Sequence, residues 1–579
     1  MNSLIPCIGH KDRTLIPENA PKLSFSNSIS LSWWIILIFI SFWCNDIYAE
    51  KIINIPSVKG DATKALQEVL NSLSKFNGEK VTILLSEGQY NISRKESCSL
   101  PYHISNTVSF EEHPDPTKHI GLLFKNLRNV VFDGNGAKIV THGEMTSIVI
   151  DSCENVVLKN FTLTSADPSV VEIKITEKDI DGFTFEITPP SEFVIDDGIF
   201  YFKGCDWIFG DGESITRLPQ LAQVYYPDKN ITLRTSYPLK NYKNVKQTGD
   251  HTVRMEFEEV PDVTPGEIYQ LRHGIRYEAA GFINRSCDIR LQNIDFNFLG
   301  NFGIVGQFSE NLTYDNISCQ PDLESGRTNA GFADFIQMSG CKGRIIIKNS
   351  RFEGSHDDPI NIHGTFLNVT NFNSPYQLTV RYMHPQTYGF LPFIENDEIE
   401  IINRNTLNPV DTIHRYVTKI NQIDDYNYLL EIDKPLPELE NYYYEDLTVE
   451  NVTWTPEVEI SNNYFAATPT RGVLITTRGK SLIENNTFFR IPMPSILVSD
   501  DARSWYESGA VKDLTIRNNT FIECSNPVIK ISPEIETFDQ PVHKNILIEN
   551  NEFIGDSKNF FMIDGSDNVI IRNNTFKKN

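Results

Sequence analysis

Short apolar β runs recur along the chain, each closed by the pattern Asn-x-x-Phe. The pattern pairs Asn349 with Phe352, Asn462 with Phe465, Asn485 with Phe488, Asn518 with Phe521, Asn550 with Phe553 and Asn573 with Phe576. Asn129 with Phe132 and Asn293 with Phe296 are earlier copies, and Leu158-Lys-Asn-Phe161 is a looser one. From Phe465 onward the Phe spacings are 23, 33, 32 and 23. A period near 23 is one rung of a parallel β-helix, and the longer gaps are rungs that carry a loop. Asn tolerates the left-handed backbone of a tight turn and stacked Asn side chains can hydrogen-bond along a ladder, while Phe fills the interior. Asn-x-Thr triplets are also glycosylation acceptors, but their recurrence in register favours the ladder.

Two gaps break the rhythm. Phe352 and Phe465 are 113 residues apart, one rung plus about 90 extra. That excess, 367–452, contains the strand-like runs 376–380 and 398–402. A second insertion, 167–272, holds 171–175 and 183–187. Both read as small β-barrels looped out of the helix. Helical periodicity is scarce except at 61–76, which reads as a cap over the open apolar end of the solenoid. The expected fold is all-β: a right-handed parallel β-helix with two inserted β-barrel-like subdomains and an N-terminal helical cap. The expected divisions are 1–49 as a targeting segment, 50–166, 273–366 and 453–579 as β-helix, and 167–272 and 367–452 as insertions.

The 579 residues, 40% hydrophobic and 11% aromatic, supply ample core for one long solenoid. The net charge of −24 repels nucleic acid and anionic glycans and favours a neutral substrate. The apolar run 29–44, followed by Ile47-Tyr48-Ala49, reads as a signal peptide cleaved before Glu50. The expected localisation is export, to the periplasm or cell surface of a Gram-negative bacterium. An uncleaved membrane anchor and lipidation at Cys44 are the other readings. Seven cysteines follow Ala49, with no C-x-x-C pair, so a zinc site is not expected and most read as buried free thiols.

Glycoside cleavage needs one carboxyl to protonate the leaving oxygen and another to activate water or attack carbon. A β-helix brings such groups together on neighbouring rungs about 4.8 Å apart. Ala333-Asp334-Phe335-Ile336 matches Asp357-Asp358-Pro359-Ile360 with Asp334 level with Asp358, a separation of 24. A further step of 113 brings Arg471 to the next level, with Asp357 beside the ladder at a turn. Carboxylates stacked this closely repel, and one is expected to hold a raised pKa. His356 and His363 flank the Asp pair as candidate substrate contacts. Arg272, His273, Arg276 and Glu278, where the first insertion rejoins the helix, read either as cleft lining or as a surface turn. Trp454 and Trp505 read as sugar-stacking or core residues. No Ser-His-Asp signal and no phosphate-cradling glycine loop is present.

The repeat, with Gly331-Phe-Ala-Asp334-Phe-Ile-Gln337, Ser355-His-Asp-Asp-Pro-Ile-Asn-Ile-His-Gly364 and Leu100-Pro-Tyr-His103, resembles the bacterial α-1,3-galactosidases of glycoside hydrolase family 110. The resemblance covers essentially everything after Ala49. It implies hydrolysis of terminal α-1,3-linked galactose on glycoproteins or glycolipids, as on blood group B glycans, with inversion and with no metal or other cofactor. Polygalacturonases similarly carry one Asp followed a rung later by an Asp pair, but this chain lacks their Gly-His-Gly and Arg-Ile-Lys motifs. A polysaccharide lyase and a non-catalytic glycan-binding β-helix are the remaining alternatives.

Overall fold

The computed structural model describes residues 51–76, 78–210, 220–436, 443–556 and 558–578. The apolar run at 29–44 and the cleavage point at Ala49 lie outside them. Two long sheets, of 19 and 12 strands, wind around one core as a parallel β-helix. The rungs stay in register through the uneven loops: Phe465, Phe488, Phe521, Phe553 and Phe576 are all level with one another. Their rings form one column with Phe352, at centroid distances of 4.8–5.3 Å and interplanar angles of 7–17°. Near-parallel stacking at the rung spacing buries each ring against the next. Phe296 joins this column through Cys319. Phe161 and Phe132 are interior too but occupy other columns, level with Ile294 and Leu158. The repeat motif therefore marks one column only from Phe296 onward.

The two asparagines of Asn-Asn-x-Phe divide the work. The first takes the left-handed turn, with φ of 57° at Asn462 and Asn485 and 55° at Asn518, Asn550 and Asn573. The second is buried and forms the ladder. The side-chain amide of Asn463 donates to Asn486, that of Asn486 to Asn519, and that of Asn519 to Asn551, each at 3.0 Å. Each also receives or supplies backbone hydrogen bonds, so these buried amides are satisfied inside the turn.

The helix Thr63–Ser72 and the 3-10 turn Leu73–Phe76 cover the first rung, burying Leu66, Leu70, Leu73 and Phe76 against the main core. At the other end Ile570, Ile571 and Phe576 of the last rung are exposed. The insertion 367–452 is a closed six-stranded antiparallel barrel, Leu367–Ser374 through Leu447–Asn451, with its own core. The other runs from Val171–Lys178 to Ile268–His273. It is a seven-stranded antiparallel sheet backed by a three-stranded one around a shared aromatic core. Cys98, Cys153, Cys205, Cys319, Cys341 and Cys524 are free thiols; Cys153, Cys319 and Cys341 are buried, Cys98 and Cys524 half-buried, and Cys205 exposed.

Candidate active site

Three adjacent strands of the 12-stranded sheet, Ile336–Ser339, Ile360–Thr365 and Val473–Ile475, pair in parallel with Ile336, Ile360 and Val473 level. Two residues ahead of these stand Asp334, Asp358 and Arg471. The level assignment is visible in the contacts: Arg471 donates to Asp358 from its backbone N at 3.0 Å and from Nη1 at 2.9 Å. The rung beneath has glycine at 303, where a Cβ would lie 2.1 Å from the Asp334 carbonyl oxygen. Only glycine lets the backbone of Asp334 come this close. Gly354, with φ 75°, opens the turn that carries His356, Asp357 and Asp358, and a Cβ there would meet the Thr328 carbonyl at 2.6 Å. Ser355 and Thr468 hydroxyls both donate to the Asp357 carbonyl, at 2.6 and 3.1 Å, which fixes the turn.

Asp334, Asp357, Asp358 and Arg471 line one cavity of about 880 Å³. Burial, together with the nearby Asp357 and Asp358, holds the Asp334 carboxyl well above the ordinary range. The Asp358 side chain is 5% exposed and paired with Arg471, whereas Asp357 is 27% exposed and pairs with Arg234 at 2.9 Å. Asp334 and Asp358 are thus the enclosed pair, and Asp357 faces the open side.

The first insertion docks on the loops that carry these groups. Gln223 donates to the Ser355 carbonyl at 3.0 Å, Gln270 to the Thr328 hydroxyl at 2.7 Å, and Glu172 accepts from the backbone of Thr328 and Asn329. Arg272 lies over the Phe332 ring at 4.3 Å and its Nε donates to His356 Nδ1 at 3.2 Å. Burial, with Arg272 and Arg234 nearby, holds His356 well below its ordinary pKa, so the ring is neutral. With Nδ1 accepting, the proton sits on Nε2, a buried donor with no protein partner that lines the cavity. Arg276 Nε, Gln337 Oε1, Asn361 Oδ1, Thr470 Oγ1 and Arg471 Nε are likewise buried, unpartnered and on the cavity wall. Buried polar atoms without partners are costly, and their convergence on one cavity marks a place for a hydroxyl-rich ligand.

The remaining sequence candidates divide. Arg272 and Arg276 line the cavity. His363 stands behind it: Nδ1 donates to the Gly364 carbonyl at 2.7 Å, leaving Nε2 to accept from Gln337 at 3.0 Å, which orients the Gln337 amide. His273 points away, toward Glu144 at 3.5 Å and the Phe332 ring. Glu278 is also turned inward and accepts from the Thr146 hydroxyl at 2.6 Å and the His119 backbone at 3.0 Å. Strand alternation explains the first contrast, because Arg272 and its neighbour His273 face opposite sides of one strand. Trp454 is a core residue, buried against Phe308 and donating to Asp397 at 3.1 Å. Trp505 is on the cavity wall. Arg234, Glu507 and Asn361 are site residues that sequence reasoning missed. Asn361, level with Gln337, could have been found by the same rung arithmetic as the aspartates.

A β-helix that gathers three carboxyls and an arginine at one cavity has the parts that glycoside hydrolysis needs. Comparison with known proteins agrees. The family description "Right handed beta helix region" matches residues 438–576, and "GLAA-B beta-barrel domain II" matches 377–440. The Alpha-1,3-galactosidase A of Bacteroides thetaiotaomicron is 44% identical over 88% of this chain and 88% of that protein. That of Streptomyces avermitilis is 36% identical over 86% of this chain and 82% of that protein. The Alpha-1,3-galactosidase B of Parabacteroides distasonis is 29% identical, over 92% and 86% respectively. The chain belongs to the α-1,3-galactosidase family.

Proposed function

We propose that this glycosidase removes terminal α-1,3-linked galactose by a single displacement at Asp334, Asp357 and Asp358, inverting the anomeric carbon without a metal. The relatives' names supply the linkage and the sugar. The observation that carries the mechanism is the register of Asp334 and Asp358 on neighbouring rungs, with Asp357 displaced toward the open side. Carboxyls on adjacent rungs, about 4.8 Å apart at the backbone, are too close to straddle both a sugar and a water. They act as one unit on one face of the anomeric carbon.

The galactose of an exo-acting enzyme enters first, so its glycosidic oxygen faces the mouth. Asp357, the most exposed of the three, is on that side and acts as the acid toward the leaving oxygen once the entering substrate displaces its Arg234 partner. The enclosed Asp334–Asp358 pair holds the water on the opposite face, and Asp358, the member paired with Arg471, takes its proton as the oxygen attacks carbon. One proton leaves and one is taken up, so the three carboxyls balance over the turnover. Arg471 keeps Asp358 aimed at the water. His356 Nε2–H, Gln337 and Asn361 meet the galactose hydroxyls. The substrates in this reading are neutral glycoprotein or glycolipid glycans of the blood group B type, with linear Galα1-3Gal also a candidate. The expected site of action is outside the cytoplasm, in the periplasm or at the cell surface. Asp501, Glu507, Glu534 and Glu536 also line the cavity, and the net charge of −24 disfavours a polyuronate substrate.

Asparagine variants separate the roles. On Galα1-3Gal each of Asp334→Asn, Asp357→Asn and Asp358→Asn is expected to lower kcat by at least about 10²-fold. On dinitrophenyl α-galactoside, whose leaving group needs no proton, Asp357→Asn regains most of its activity and the other two do not. Rescue of Asp334→Asn instead would reverse the assignment, and near-normal turnover in all three would remove the site.

A further inference from the structure

Part of the cavity wall lies outside the reacting groups. It is formed by the loop between the strands Ile496–Val498 and Glu507–Ser508. Asp501 gathers this loop by accepting three successive backbone N–H groups, from Arg503 at 2.7 Å, Ser504 at 3.0 Å and Trp505 at 2.7 Å. The second inserted barrel holds it from outside. Arg404 donates to the Ala502 carbonyl at 3.0 Å, Arg503 donates to Asn405, and Ile402 packs in a small cluster with Ala502 and Tyr506.

What this scaffold presents is Trp505. The indole is 48% exposed, too open for a core residue, and it lines the cavity. His384, from the barrel, stacks against it at 4.8 Å and 25°. Burial pushes His384 down to about 4, so at neutral pH the support is an uncharged ring. The same barrel loop also meets Arg276 on the cavity wall, which donates to Gln386 at 2.7 Å. One loop of the insertion therefore contacts the cavity wall at both Trp505 and Arg276.

We propose that Trp505 is the platform on which the aglycone sugar, the unit joined to the terminal galactose, stacks, and that the second barrel fixes it there through His384. A pyranose places its C–H face on an indole, a contact that is apolar at its centre and indifferent to salt. Such a platform recognises the sugar beyond the scissile bond and adds nothing to the binding of galactose itself. The second barrel is then a specificity element. The proposal rests on the α-1,3-galactosidase reading.

The test compares Galα1-3Gal with α-galactosyl fluoride, which has no aglycone sugar. For Trp505→Ala, kcat/KM on the disaccharide is expected to fall about tenfold. On the fluoride it stays within about twofold. Trp505→Phe retains more than Trp505→Ala, and His384→Ala loses on the disaccharide alone. The ratio between substrates does not depend on the folded fraction, so a folding defect cannot mimic the result. Equal loss on both substrates, or no loss on the disaccharide, would overturn the proposal. If the unmodified enzyme cleaves the fluoride but not the disaccharide, the linkage assignment fails instead.

Discussion

Replacing Arg471 with alanine removes one of the two hydrogen bonds that hold Asp358. The backbone N–H at 3.0 Å remains, and the Nη1 contact at 2.9 Å is lost. A hydrogen bond to a charged group contributes roughly 1.5–3 kcal/mol. The Asp358 side chain is 5% exposed, so water from the cavity replaces the lost donor only in part, while the 26% exposure of Arg471 weakens its side of the pair. The expected destabilisation is about 2 kcal/mol. Asp358→Asn removes the charge that needs compensation. In a double-mutant cycle the two changes are therefore less than additive, with a coupling of about 1–2 kcal/mol. Urea unfolding at neutral pH measures the four stabilities, and kcat/KM on Galα1-3Gal measures function. Stability recovers in the Arg471→Ala, Asp358→Asn double variant and activity does not. Strictly additive stabilities would refute the ion pair as the reason Asp358 is held where it is.

Asp334 gives a pH signature. Its folded pKa is raised, so the stability it contributes is present below the unfolded carboxylate value and is lost as pH rises through the folded value. Asp334→Asn is expected to gain stability over the parent as pH rises toward neutral while losing turnover, read from unfolding midpoints at acidic and neutral pH; a parallel pH dependence in both proteins would contradict this. Phe488 is fully buried between Phe465 and Phe521, at 4.8 and 4.9 Å, and Phe488→Ala is expected to cost about 3–5 kcal/mol. Unchanged unfolding would mean that the column does not carry the core.

The ladder Asp334, Asp358 and Arg471 was legible because a solenoid turns separations of 24 and 113 into one repeated distance in space. The same arithmetic located the Phe column, and it failed for Phe132 and Phe161, where the early rungs place Phe at different points of the turn. Arg234 and Trp505 obey no such rule. Arg234 reaches Asp357 because a whole sheet docks on the loops that carry Asp357 and Asp358, and Trp505 reaches the cavity through a loop braced by the other insertion. The inward turn of His273 depended on its side of the strand Ile268–His273, and that of Glu278 on the bend that follows it, neither of which composition reveals. The division between the two asparagines of each turn was hidden for a similar reason: neighbouring identical residues take different backbone regions.

The most direct test of the central claim is the anomer first released from Galα1-3Gal, observed by proton NMR before mutarotation. Attack by a water held on Asp334 and Asp358, opposite the leaving oxygen, releases β-galactose. Initial release of α-galactose would contradict the single displacement and with it the roles given to all three carboxyls.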